Sequence, residues 1–170
     1  MADVYFIDIN SVKEISLIDE NVDAKLLIPT ITMVQDIYLQ KILGTALFND
    51  FKTKIIADDT LAAYPNELAL MRDYIKSVLI YYVCMHSPMA LRYRLMNKGV
   101  MVKSGENSSA ADSLELKVVK DEFRMIAESY AELLTKYLKE NTDTFPLYDD
   151  ISETGMNASD TNYTTGIDLS

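Results

Sequence analysis

Between Leu114 and Asn141 the apolar positions Leu116, Val119, Phe123, Ile126, Tyr130, Leu133 and Tyr137 step by three and four without a slip. That spacing returns a side chain to one face of an α-helix every turn, so the segment predicts one long helix with a single stripe, widened by Leu134 and Leu138. Lys117, Lys120, Asp121, Glu122, Arg124, Glu128, Glu132, Lys136 and Lys139 fall on the other faces, as on a solvated surface. Upstream, Leu68, Met71, Ile75, Val78, Tyr82 and Met85 repeat the alternation, which predicts a second long helix packed on the first at the shallow angle of a helix bundle. Tyrosine and methionine at helical spacing fill interiors, so both stripes read as core and not as a cofactor site.

The rest of the chain supplies shorter elements. Val4, Tyr5, Phe6, Ile7 and Ile9 make Met1 to Asn10 an apolar extended arm, and Ser11 with Glu14 matches a capping box. Asp19 to Asp23 opens a helix with acids where its dipole favours them. Pro29 disfavours helix at Ile28 and predicts a break or kink there, with the main helix running from about Thr30 to Leu43. Gly44 reads as its C′ residue, and Thr45 as the cap of a helix through Ile56 with Leu47, Phe48, Phe51 and Ile55 inward. Asp58 to Pro65 is a loop with Pro65 opening the next helix, Asn66 to Ser87. Pro88 to Asn97 is either a kinked continuation or a separate helix ending at Gly99. Val100 to Lys103 is β-branched enough for a strand, and the small polar run from Ser104 to Asp112 is a loop. The expected fold is therefore all-α: a helix bundle with long antiparallel helices, one short strand or hairpin-like loop, and extended termini. Its parts are an N-terminal arm over 1–18, a helical bundle over 19–141 and an acidic tail over 142–170.

Composition narrows the class. At 170 residues and 49% hydrophobic, the chain can bury the core of one domain. Its longest apolar stretch, Ser77 to Met85, is half a membrane span, so no membrane is expected. Asp3 and Asp8 stand where a secretory signal carries bases, which points to a cytoplasm. Cys84 is alone, and reads as a small buried hydrophobe. The net charge of −10 is unevenly spread. Residues 67 to 104 hold six bases against two acids, whereas 142 to 170 hold six acids and no base. Apart from the apolar knot Phe145-Pro146-Leu147-Tyr148, that last segment cannot bury enough surface to order itself without a partner.

Catalytic chemistry finds no foothold. His86 is the single histidine and lies two residues from Cys84, a spacing that does not put two side chains on one helix face. Asp58-Asp59 and Asp149-Asp150 sit in loops with no regular calcium pattern. A phosphate-cradling glycine loop and a nucleophile elbow are both missing, so no enzyme and no cofactor are expected. The basic zone is the remaining candidate. Arg92, Arg94, Lys98 and Lys103, with Tyr93 among them, occupy a stretch without an acid from Tyr74 to Gly105. Such groups suit a polyanion, but the acidity of the chain elsewhere repels one, and an acidic protein surface is the better match.

Asn21-Val-Asp-Ala-Lys-Leu-Leu-Ile-Pro-Thr-Ile31, Gln35-Asp-Ile-Tyr-Leu-Gln-Lys-Ile-Leu-Gly44 and Leu47-Phe48 resemble the opening helices of head-to-tail connector (adaptor, or neck) proteins of tailed bacteriophages, particularly those of crAss-like phages. The resemblance continues through Arg94-Leu-Met-Asn-Lys-Gly-Val100 and Tyr137-Leu-Lys-Glu-Asn141 to Phe145-Pro-Leu-Tyr148, as scattered positions over residues 20 to 148. It implies a structural virion protein, assembled in the host bacterial cytoplasm, whose protomers form a ring, dodecameric in the family. The ring sits between the portal and the tail, meets further neck or tail proteins, and lets genomic DNA pass without specific binding. In that setting Arg92, Arg94, Lys98, Lys103, Phe145, Pro146, Leu147 and Tyr148 are the expected partner contacts. The alternative is a cytoplasmic helical adaptor that binds one protein partner through its C-terminal tail.

Overall fold

In the computed structural model the described residues are 4–16, 18–96, 99–102 and 113–148. In chain order they form α1 (Ile9–Ile15), α2 (Ala24–Val34), α3 (Gln40–Ala57), α4 (Pro65–Leu70), α5 (Lys76–Arg92), β1 (Tyr93–Met96), β2 (Gly99–Val102) and α6 (Ser113–Glu140), closed by a 3-10 turn over Pro146–Tyr148. The fold is an all-α helix bundle. Two wide turns, Gln35–Leu39 and Met71–Ile75, carry α2 into α3 and α4 into α5 without a break in the rod. In each, an amide donates five residues back, Gln40 to Gln35 and Lys76 to Met71.

The most extensive packing is that of α5 along α6. Two aromatic stacks set its direction. Tyr81 lies on Tyr130 with ring centroids 5.3 Å apart, and Tyr74 on Tyr137 at 4.5 Å. Seven residues later on one helix meets seven residues earlier on the other, so the pair is antiparallel, as the two stripes predict. The buried line on α6 is nevertheless rotated from the predicted one. Ala127, Ala131, Leu134 and Leu138 are buried, whereas Val119 and Leu133 are 40% and 53% exposed. The alanines decide this, because a methyl side chain lets the two backbones approach and draws that face inward. Val78, Leu79, Ile80, Tyr82, Val83, Cys84 and Met85 are all buried, so α5 is the central helix, covered by α1, α2 and α6.

The N-terminal segment is part of this core. Phe6, Ile7 and Val12 are buried, and Phe6 stacks on Phe48 at 5.1 Å. The buried Gln35 holds the segment in place, its Nε2 donating to the Val4 carbonyl at 2.9 Å and its Oε1 accepting from the Phe6 amide at 3.4 Å. Asp8, and not Ser11, caps α1: its carboxylate accepts the Ser11 amide at 2.8 Å and the Ser11 hydroxyl at 2.6 Å. A carboxylate so placed satisfies two donors where the capping-box serine would satisfy one.

The prolines interrupt less than expected. Helix α2 begins at Ala24, capped by Asp23, and runs through Pro29, so the predicted break there is absent. Helix α5 continues through Pro88 to Arg92, and of the two expectations there the separate helix is absent; Ser87 Oγ donates to the Val83 carbonyl at 2.7 Å. One lost hydrogen bond is a small term beside the burial of Leu27, Ile31 and Val34 on either side of Pro29. The real kink is at Gly44, where φ 75° and ψ 161° admit only glycine at low cost. Residues 93 to 96, expected to be helical, are strand β1, paired antiparallel with β2 in the register Tyr93 to Val102, Arg94 to Met101, Leu95 to Val100 and Met96 to Gly99. The expected loop at 104–112 and the tail from Asp149 to Ser170 lie outside the described residues.

Candidate assembly surfaces

The backbone carries the basic zone into the end of α5 and the hairpin beyond it. Arg92 is the last residue of the helix, and Arg94 stands in β1 opposite Met101. Lys98 and Lys103 lie outside the described residues.

The apolar knot closes on the protomer's own core. Phe145 and Tyr148 are buried, and the Phe145 ring is tilted against Tyr137 at 6.4 Å. The turn that carries them packs on α3. Leu147 is half-buried and Pro146 exposed, so Phe145 and Tyr148, expected at a partner surface, are spent on sealing the bundle. Their burial is the physical reason: a side chain already removed from water has little further area to lose to a partner.

The largest unpartnered apolar side chains of the long helix are elsewhere. Leu114, Val118 and Met125 are 69%, 61% and 65% exposed, at steps of four and seven that return to one face of α6, turned away from its buried line. Sequence reasoning passed over them because the stripe of threes and fours had absorbed Val119 and Leu133. Their own spacing was the signal available. Three unpaired carboxylates stand along the exposed part of this helix: Glu122, Glu128 and Glu132 make no ion pair among the described residues, whereas Asp121 pairs with Arg124 at 3.8 Å.

A second outward face runs along α2, the wide turn after it and the first turn of α3. Lys25, Pro29, Ile37 and Lys41 are exposed there, Ile37 by 57%. Neither lysine has an ion-pair partner among the described residues. The acid between them, Asp36, is answered by Lys52 at 3.4 Å, and that ammonium also lies 4.4 Å from the centre of the Phe48 ring. This face is therefore apolar at its middle and cationic at its ends.

The titratable groups in the interior serve packing. His86 turns toward the wide turn Gln35–Leu39, where its Nε2 lies 2.9 Å from the Tyr38 hydroxyl, while the Tyr38 and Tyr82 rings stack at 4.1 Å. Burial, and then the positive charges of Lys120 and Arg124, hold the imidazole below its ordinary pKa. Burial, reinforced by Glu128, pushes the Tyr82 hydroxyl up to about 12. Cys84 is buried, and burial raises its thiol. The Asp58 carboxylate organises its own loop, accepting from the Thr60 hydroxyl at 2.6 Å and the Ala63 amide at 2.9 Å. A groove of about 530 Å³ is lined by Phe6, Ile7 and Asp8 of the N-terminal segment, Ile31 of α2, Arg72 of the wide turn Met71–Ile75 and Lys76 of α5. Among the described residues no three metal-ligating side chains converge, and no helix is long and apolar enough to cross a membrane.

A family of unknown function, DUF6712, matches residues 39–157. No curated protein matches the chain, and no solved structure does. The match takes in the kinked α3, the central helix, the hairpin and all of α6, which is more than half of the sequence, and the chain belongs to the DUF6712 family.

Proposed function

We propose that this chain is a ring-forming virion subunit of a tailed bacteriophage, placed between the portal and the tail as a head-to-tail connector. The observation that carries the reading is the exposed apolar row Leu114, Val118 and Met125 on a helix whose opposite face is already committed to the core. A surface of this kind has a use when copies or partners stack on it. The sequence resemblance supplies the setting, and the net charge of −10 suits a lumen through which DNA slides without adhering. Arg92 and Arg94, at the end of α5 and in β1, belong to the basic stretch that suits an acidic surface of the portal or of a neighbouring protomer.

The test is the mass of the purified chain in solution, alone and mixed with the portal protein of the same phage. A closed assembly of one fixed stoichiometry on the portal is the expected result. Charge reversal of Arg94 and Lys98 weakens that binding and leaves the helical signal intact. Added duplex DNA does not displace the portal. A chain that stays monomeric with portal present, or a patch that binds DNA in competition with it, overturns the assignment.

A further inference from the structure

We infer that the occupant of the exposed α6 row is a second copy of this chain, seated by the outward face of its α2. This deepens the ring reading and rests on it: it names the two surfaces that mate. A ring needs a heterologous contact, in which two different patches of the same protomer complement each other. The two faces described above differ in the required way. One presents Leu114, Val118 and Met125 with Glu122 and Glu128 on the same helix, the other presents Pro29 and Ile37 between Lys25 and Lys41, and none of these four charged groups has an ion-pair partner among the described residues.

Charge decides between occupants. Two α2 faces set against each other bring ammonium to ammonium, and two α6 rows bring Glu122 and Glu128 together with Lys117 to offset them in part, so neither self-pairing matches charge as fully as the crossed one. The crossed pairing places apolar side chains together at the centre and opposite charges around them, the arrangement of a core and rim in a protein interface. The wide turn at Gln35–Leu39 contributes by carrying the helix on to Lys41 without a break, which leaves Ile37 outward while Gln35 and Leu39 face the core. Lys52 matters too. Its ammonium, 3.4 Å from Asp36, offsets the acid that lies between the two lysines.

The experiment uses the full chain and two single variants, Met125→Asp and Ile37→Asp, both at exposed positions, with circular dichroism to confirm that each is folded. Sedimentation should show concentration-dependent association of the wild type and a loss of at least about tenfold in affinity for each variant alone. An equimolar mixture of the two variants still offers one intact α6 face and one intact α2 face, so it should form a dimer and nothing larger. A second set reverses the charges: Lys25→Glu with Lys41→Glu dissociates the assembly, and adding Glu122→Lys with Glu128→Lys in the same chain restores it. The inference is overturned by a wild type that stays monomeric, by variants that associate like the wild type, or by a mixture that gives no dimer. Met125→Asp lowering the melting temperature of a monomer also overturns it, by showing that the row is covered by the chain itself. The two readings fail separately. Variants that still form rings on the portal remove this pairing and leave the ring; a crossed pairing that builds assemblies with no affinity for portal leaves the pairing and removes the connector role.

Discussion

Gln35 and Phe6 are 29 residues apart in sequence and joined by a buried hydrogen bond, the Phe6 amide donating to the Gln35 side-chain oxygen at 3.4 Å while the Gln35 amide nitrogen holds the Val4 carbonyl. One side chain thus satisfies both a donor and an acceptor of an extended segment that has no strand beside it. Replacing Gln35 by Leu takes the partner from the buried Phe6 amide and from the half-buried Val4 carbonyl. The expected loss is about 1–3 kcal/mol in urea unfolding, because the desolvation of each group is then uncompensated. A loss within experimental error shows that the N-terminal segment detaches without consequence for the bundle.

Leu133 and Leu134 are adjacent and equally apolar, and they test the rotation of α6. Leu134 is fully buried and Leu133 is 53% exposed. Leu134→Ala should cost about 2–5 kcal/mol through lost burial and the cavity left behind. Leu133→Ala should stay within about 0.5 kcal/mol. Equal losses place the buried line where the periodicity of Val119, Phe123 and Leu133 puts it, and not on the alanines.

His86 makes stability depend on pH in a direction that follows from its surroundings. Burial, with Lys120 and Arg124 nearby, depresses its pKa in the folded protein. The folded state therefore binds fewer protons than the unfolded chain, and stability rises with pH across this range. The contribution is present above the ordinary imidazole value of about 6.5 and is lost as pH falls through the folded pKa. Melting temperature should decline from about pH 7 to about pH 5.5, above the carboxylate range. In His86→Gln that decline should flatten. An unchanged slope in the variant assigns the effect to other groups.

Several elements were legible in the chain because they depend on local physics. The three-and-four spacing was enough to place two long neighbouring helices, since periodicity of burial is set by helix geometry itself. Gly44 was legible as a helix terminus for a similar reason: its positive φ is a cost that other residues pay and glycine avoids. Pro65 at the start of α4 and the inward set Leu47, Phe48 and Phe51 belong to the same class.

Tertiary packing decided the rest. Whether Pro29 and Pro88 break their helices depends on how much apolar surface lies on either side, and around Pro29 it outweighs one missing hydrogen bond. The face of α6 that enters the core was settled by Ala127 and Ala131, whose small size matters only when another helix is there to approach. Phe145 and Tyr148 look like free apolar anchors until α3 and Tyr137 are seen to receive them. The exposed row Leu114, Val118 and Met125 is the converse case. Its spacing is written in the chain, but a sequence cannot say which of two apolar faces on one helix is covered, because the neighbour that covers it comes from residues far away along the chain.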